Sequence, residues 1–106
     1  MPKYLIQGSY TAEGTKGVRK DGGSKRRQVA EALMKEAGAR LESFYFTFGD
    51  TDFVGVVDAP DNVSVAAMSL AVNASGVTSL RSTPLLTPEE MDAAAKKQIT
   101  YRGPGQ

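Results

Sequence analysis

Cysteine and histidine are both absent from this chain of 106 residues, and each absence removes a class of chemistry. Without cysteine there is no disulfide, no thiolate nucleophile and no cysteine-ligated iron–sulfur cluster. Without histidine the commonest general base, the usual zinc ligand and the proximal ligand of most haem proteins are missing. Any reaction must use carboxylates, Lys, Arg, Tyr, Ser or Thr side chains, backbone amides or a bound cofactor, and the sequence identifies no particular cofactor.

Strong net charge and long apolar runs are absent too. The formal net charge is +1, which gives no general argument for binding nucleic acid or an anionic membrane surface. No apolar run reaches the roughly 18 residues that a transmembrane helix needs. The N-terminal apolar run meets Gly8 too early for a signal peptide. We therefore expect a cytoplasmic protein with neither a membrane nor a nucleic acid as its partner.

The length fits one small domain, and the apolar share of 41% is enough for a core. We expect a single domain over residues 1–98, followed by a C-terminal tail over residues 99–106. The glycine- and proline-rich end, Gly103-Pro104-Gly105, is typical of a mobile terminus.

The central stretch from Ala39 to Pro60 predicts a β-hairpin. Two runs rich in aromatic and β-branched residues flank the turn Gly49-Asp50-Thr51-Asp52, where glycine and aspartate interrupt strands. Apolar side chains occur on both faces of the hairpin. In the first strand, one face carries Phe44, Phe46 and Phe48 and the other carries Leu41 and Tyr45. In the second strand, one face carries Phe53 and Val57 and the other carries Val54 and Val56. A sheet covered on one side only should alternate apolar and polar residues, so we expect both faces to be covered.

The remaining patterns predict strands over residues 3–10 and 77–83 and helices over residues 24–37, 61–74 and 87–98. Ser24, Asp61 or Asn62, and Thr87 are the expected N-caps. The order strand, helix, strand, strand, helix, strand, helix is the α+β, ferredoxin-like βαββαβ pattern with an extra C-terminal helix. Helices cover one sheet face in this fold, so we expect a homodimer or higher homo-oligomer in which two bare sheet faces pack together.

Five segments are distinctive in combination: Y-L-I-Q-G-S-Y-T-A-E-G-T-K-G, G-G-S-K-R-R, L-E-S-F-Y-F-T-F-G-D-T-D, S-L-A-V-N-A-S-G and L-L-T-P-E-E. Over roughly Lys3 to Lys97 the chain resembles the GYD domain family of small bacterial and archaeal proteins. The resemblance implies a ferredoxin-like, dimeric α/β-barrel arrangement and implies no activity. The family motif has a tyrosine between the turn and its aspartate; here Thr51 stands at that position, before Asp52.

A basic segment over residues 14–27 contains six cationic side chains and one carboxylate. A helix N-terminus presents free N–H groups, and glycines let an anion approach the backbone. These features suggest an anion site formed by Lys16, Gly23, Ser24, Lys25 and Arg26. The alternative is a solvated basic loop, because the spacing matches neither the P-loop nor the dinucleotide fingerprint.

Asp52 and Tyr10 are the candidate catalytic residues. Asp50 and Asp52 could share a proton or hold a hard metal ion, although aspartate in a turn usually bonds the local backbone. Tyr10 lies at a strand end, where its hydroxyl could meet a ligand. Arg81, inside a predicted strand, either pairs with a carboxylate such as Glu42 or Asp58 or faces an anionic ligand, and we expect the pairing.

The aromatic side chains either line a ligand pocket between sheet and helices or form the core and the dimer interface. They are Tyr4, Tyr10, Phe44, Tyr45, Phe46, Phe48 and Phe53.

Two functions remain open. The first is a homo-oligomeric small-molecule-binding or stress-associated module, whose pocket takes a small hydrophobic or anionic ligand. The second is a cofactor-free enzyme of isomerase or monooxygenase type acting on a small hydrophobic substrate, with Asp52 or Tyr10 as acid or base. Nucleic-acid binding through the basic segment is disfavoured by the net charge and by the lack of a known motif.

Overall fold

A computed structural model describes all 106 residues of the chain. Its elements are β1 Lys3–Tyr10, α1 Ala12–Asp21, α2 Gly23–Glu36, β2 Arg40–Phe46, β3 Phe53–Asp58, α3 Asn62–Ala74, β4 Thr78–Leu85 and α4 Pro88–Ala95. The four strands form one antiparallel sheet in the order β2-β3-β1-β4. This mixed α/β architecture is compatible with the predicted ferredoxin-like pattern, because β1 and β3 are central and helices connect the non-adjacent strands.

The basic segment after β1 is largely helical, whereas the sequence predicted a loop there. The Thr11 hydroxyl accepts a hydrogen bond from the N–H of Gly14 at 3.2 Å and caps α1. Gly22, with a φ of +84°, ends α1 and precedes the first residue of α2. The prediction of Ser24 as the N-cap of α2 is therefore wrong: Ser24 lies inside the first turn, and no side chain caps this helix.

The hydrophobic core lies between one face of the sheet and helices α2 and α3. The sheet contributes Tyr4, Ile6 and Val57, and the helices contribute Met34, Val65 and Met68. Tyr4 and Ile6 lie two positions apart on β1 and share a face, because side chains alternate across a strand. Val57 lies opposite Tyr4 on β3. The buried Tyr4 hydroxyl donates to the Oδ1 atom of Asn62 at 2.5 Å, which ties β1 to the start of α3.

A β-bulge in β2 moves Leu41 to the helix-covered face. Leu41 pairs with Val57 and Ser43 pairs with Val56, so Glu42 is the extra residue between them. Leu41 consequently packs against the core, while Tyr45 lies on the opposite face. The prediction that Leu41 and Tyr45 share a face is wrong, because strict alternation does not allow for an inserted residue.

The opposite face of the sheet, here called the bare face, carries both apolar and polar side chains. Its register places Leu5 opposite Val56 and Gln7 opposite Val54. Arg81 also lies on this face, where its Nη2 donates to the Oε1 of Gln7 at 3.0 Å. Arg81 therefore pairs with an amide instead of the predicted carboxylates of Glu42 or Asp58.

The C-terminal helix α4 begins at the predicted capping box and stands apart from the core. Thr87 and Glu90 exchange side chain to backbone hydrogen bonds of 3.0 Å in both directions. No residue of α4 is buried, and Met91 is 54% exposed, so the apolar residues of this helix do not join the core. The Cα radius of gyration is 17.0 Å, against roughly 13 Å for a compact domain of this length. Helix α4 and the residues after it thus extend away from the body of the domain.

None of the helices combines the length and the apolar character needed to cross a membrane.

Candidate ligand-binding cavity

An apolar cavity of about 340 Å³ lies between the helix-covered face of the sheet and helices α2 and α3. Twelve of its fifteen lining residues are hydrophobic, which is the composition expected of a small-molecule site. The lining residues are Ile6, Tyr10, Arg26, Val29, Ala30, Leu33, Met34, Phe44, Phe53, Ala71, Val72, Ser75, Val77, Thr78 and Leu80.

The helical wall of the cavity comes from the apolar stripe of α2. Val29, Ala30 and Leu33 recur at helical spacing, so they face the sheet together. Val29 remains 41% exposed, so the stripe does not close completely onto the sheet. Ala30 on α2 and Ala71 on α3 have small side chains, which leave space between the helices and the strands.

Three aromatic rings from β1, β2 and β3 form the sheet wall. The ring centroids of Phe44 and Phe53 are 5.6 Å apart in a stacked arrangement, and those of Tyr10 and Phe53 are 5.3 Å apart. A Cβ on Gly8 would lie 2.3 Å from the Phe53 ring, so only glycine lets this ring lie against β1. Of the other aromatic candidates, Tyr4 belongs to the core. Tyr45, Phe46 and Phe48 are exposed and do not line the cavity.

Arg26 and Tyr10 give the cavity a polar end. The Nε atom of Arg26 is buried and has no hydrogen-bond partner, which is unusual because buried polar groups are nearly always paired. Burial raises the pKa of the Tyr10 phenol; a side-chain hydrogen bond with Arg26 and the positive charge of Arg26 oppose this rise, and the charge of Asp52 adds to it. The phenol is therefore protonated at neutral pH and can donate a hydrogen bond.

Asp52 supports Tyr10 from outside the cavity. Its Oδ2 atom accepts a hydrogen bond from the backbone N–H of Tyr10 at 2.8 Å, and its own N–H donates to the carbonyl of Gly8 at 2.7 Å. The hairpin turn is thereby fastened to the end of β1. The structure brings the two predicted catalytic residues together, but only Tyr10 lines the cavity. Asp50 is exposed, and its carbonyl accepts a hydrogen bond from Ser9.

The five residues of the predicted anion site have different surroundings. Arg26 alone lines the cavity. Lys16 on α1 is exposed, as are Ser24 and Lys25 in the first turn of α2. A Cβ on Gly23 would lie 3.0 Å from the ring of Phe46, so the backbone of Gly23 packs against that side chain.

Two polar lining residues, Ser75 and Thr78, were not predicted as part of a site. Ser75 follows α3, and its hydroxyl donates to the carbonyl of Val72 at 2.7 Å. A serine after a helix is explained by capping alone, so its sequence position gave no sign that it lies beside the cavity. Thr78 begins β4. Nothing in the local pattern marks it, because its place beside Tyr10 depends on long-range strand pairing.

These features define a small α+β domain with an apolar cavity beneath its helices. The chain belongs to the GYD domain family, whose model matches residues 4–95, and the resemblance seen in the sequence is confirmed. The chain is also similar to a protein from Thermus thermophilus named "Glutamine synthetase and cystathionine beta-lyase binding protein". The two are 29% identical over 76 residues, which cover 72% of this chain and 79% of that protein. No solved structure matches the chain.

Proposed function

We propose that this protein is a homo-oligomeric binding module that holds a small, mainly apolar molecule between its sheet and helices α2 and α3. The observation that carries the proposal is the cavity of about 340 Å³. Ligand sites usually have volumes of about 300–1,000 Å³, whereas protein cores are otherwise packed as densely as organic crystals. An apolar space of this size beside a small core is therefore best explained by a ligand.

The surroundings of the candidate catalytic residues favour binding over turnover. The Asp52 carboxylate accepts a backbone hydrogen bond and does not line the cavity. Burial raises the pKa of Tyr10, so its phenol stays protonated at neutral pH and supplies no phenolate to act as a general base. The alternative of a cofactor-free enzyme therefore has no free general base at the cavity wall.

The proposal includes assembly through the bare face of the sheet, as in a ferredoxin-like, dimeric α/β-barrel. Leu5, Val54 and Val56 are only half-buried on this face, and Tyr45 is 68% exposed. Two such faces packed together would remove these side chains from water, and apolar burial is the main driving force of association.

The binding proposal can be tested by filling the cavity. Ala30→Phe places a ring inside the lining, whereas Ala32→Phe makes the same change at an exposed position of α2 outside it. The neutral fluorescent probe N-phenyl-1-naphthylamine should bind the wild type saturably. We expect Ala30→Phe to weaken binding roughly tenfold or more, since about 1.4 kcal/mol of lost contact has that effect.

Ala32→Phe should bind the probe like the wild type, and circular dichroism should show that both variants are folded. Equal affinity in the two variants, or no saturable binding by the wild type, would contradict the proposed function.

Binding of an enzyme is a second candidate function, favoured by the similarity to the Thermus thermophilus protein. The test is biolayer interferometry with purified glutamine synthetase and cystathionine beta-lyase from the organism that encodes this chain. Saturable binding to either enzyme would support this function, and binding to neither would remove it.

A further inference from the structure

We infer that the molecule held in this cavity is a monocarboxylate, whose charged group is bound by Arg26 and Tyr10 while its aliphatic or aromatic body fills the apolar part. This inference rests on the proposed function, because it specifies the chemical class of the ligand.

Arg26 has no anionic partner within the chain. The ion pairs are Lys3–Glu42, Lys3–Asp58, Arg27–Glu31 and Arg40–Asp58. The adjacent Arg27 is thus paired on the same helix at 3.0 Å, whereas Arg26 lines the cavity with its Nε atom buried and unpaired. An unsatisfied buried donor is costly, and a charged donor more so. A ligand acceptor at this end of the cavity would remove that cost.

A carboxylate is the acceptor that fits the side chain of Arg26 best. A guanidinium presents a planar fork of donors that matches a carboxylate, and such pairs are among the strongest hydrogen bonds in proteins. Arg26 is the only charged residue in the lining. A phosphate monoester carries more negative charge than one arginine can balance, so a singly charged carboxylate fits the site better.

Tyr10 supplies a second donor at the same end of the cavity. Its phenol is protonated at neutral pH because burial raises its pKa. Its backbone is held in place by the 2.8 Å hydrogen bond to Asp52. The hydroxyl is therefore available to an acceptor without a rearrangement of β1.

The remaining lining determines the body of the ligand. Apart from Arg26 and Tyr10, the only polar lining residues are Ser75 and Thr78 at the α3–β4 turn. The stacked pair Phe44 and Phe53 provides a flat apolar wall. An alkyl chain or an aromatic ring is thus the portion that this wall would bury favourably.

The test compares carboxylates with their uncharged amides in isothermal titration calorimetry. The probes are octanoate, decanoate, dodecanoate and 3-phenylpropanoate, each beside the corresponding amide. We expect at least one acid to bind the wild type roughly tenfold or more tightly than its amide, since hydrogen bonds between charged groups are stronger than those to a neutral acceptor. Arg26→Met should abolish this preference, because it weakens binding of the acid far more than binding of the amide. Arg27→Met, the matched control on the neighbouring residue, should retain the preference.

A second variant keeps the test decisive if Arg26→Met does not fold. Tyr10→Phe removes only one hydroxyl and should lower the preference for the acid a few-fold, since a hydrogen bond to a carboxylate is stronger than one to a neutral amide.

Several results would overturn the inference. Equal binding of acid and amide would show that the ligand needs no charge, while the proposed binding function would stand. The inference would also fall if Arg26→Met kept the full preference for the acid. If Arg26→Met does not fold, a full preference in Tyr10→Phe would have the same meaning. If Arg26→Met and Arg27→Met lost the preference for the acid equally, the carboxylate would be attracted to the basic surface in general and not bound by Arg26. If no acid or amide bound and N-phenyl-1-naphthylamine also failed, both the inference and the proposed function would fall.

Discussion

Asp58, at the end of β3, is held by two cations although its side chain is only 9% exposed. Lys3 Nζ lies 2.8 Å from one carboxylate oxygen, and Arg40 Nη2 lies 2.6 Å from the other. The hydrogen bond from Lys3 is the largest cause of the lowered pKa of Asp58; Arg40 acts in the same direction, and burial opposes both. This cluster joins the N-terminal ends of β1 and β2 to the C-terminal end of β3.

We expect Asp58→Asn to lower the free energy of unfolding at neutral pH by about 1 kcal/mol, a small value because both cations are largely solvated. The folded pKa is depressed, so this stabilisation is present above the unfolded pKa of about 3.9 and is lost as pH falls through the folded value. Urea unfolding at neutral pH and near pH 2 would measure the difference.

The destabilisation should therefore disappear in acid. Glu42→Gln is the control, because Glu42 is an exposed partner of Lys3 and should have a smaller effect. A difference between wild type and Asp58→Asn that is unchanged from neutral pH to acid would contradict this account.

Single residues were predictable from the sequence where their partners are local. Asp61 caps α3 through the N–H of Ser64, and Thr87 caps α4 through Glu90; both pairs are three residues apart. Arg81 was expected to pair with a carboxylate such as Glu42 or Asp58 but bonds Gln7, because such pairing depends on strand register. Lys3 and Arg40 lie opposite Asp58 in the sheet, and no local pattern reports which residues will be opposite.

At the scale of elements, the four strands and three of the four helices were predicted, and α1 was missed. Gly14 and Gly17 weaken the helical pattern of α1, since glycine costs up to about 1 kcal/mol in a helix. Other signals were present: Glu13 in the first turn, Arg19 and Lys20 in the last, and a glycine directly after them. Contact with the rest of the domain also supports α1, because the N–H of Thr11 donates to the carbonyl of Val77 at 3.0 Å.

The two glycines of α1 allow a direct test of that helix. A Cβ on Gly17 would meet nothing within 4 Å, whereas a Cβ on Gly14 would lie 2.3 Å from the carbonyl oxygen of Val77. We expect Gly17→Ala to raise the free energy of unfolding by about 0.5–1 kcal/mol through helix propensity. Gly14→Ala should lower it, because the carbonyl of Val77 must move. Thermal unfolding followed by circular dichroism would measure both.

The opposite signs of the two effects are the informative result. A destabilising Gly17→Ala, or two variants that shift stability in the same direction, would mean that this segment is not the docked helix described above.

At the scale of the whole molecule, the sequence predicted a pocket between sheet and helices and offered the aromatic residues as its walls. Of these residues, Tyr10, Phe44 and Phe53 line the cavity. The lack of a carboxylate partner for Arg26 was not predictable, because it depends on the distances between Arg26 and every acidic residue of the folded chain. The volume of the cavity likewise depends on how closely the stripe of α2 approaches the sheet, which periodicity alone does not define.

Association of two copies through the bare face of the sheet is the remaining prediction for the whole molecule. Apolar side chains on both sides of the hairpin predict a second cover, and the helices supply only one. Val54 lies in the middle of the bare face between Gln7 and Tyr45, whereas Val63 is 78% exposed on α3. Val54→Asp would place two carboxylates in a symmetric interface, since each copy contributes the same surface.

Sedimentation velocity should therefore give a dimer or a higher multiple for the wild type at micromolar concentration. Val54→Asp should weaken association roughly tenfold or more, because buried unpaired charge is costly, while Val63→Asp should leave it unchanged. A monomeric wild type would contradict the packing of two bare faces. A wild-type dimer that survives Val54→Asp and dissociates in Val63→Asp would place the interface on the helical side, and the apolar residues of the bare face would then require another partner.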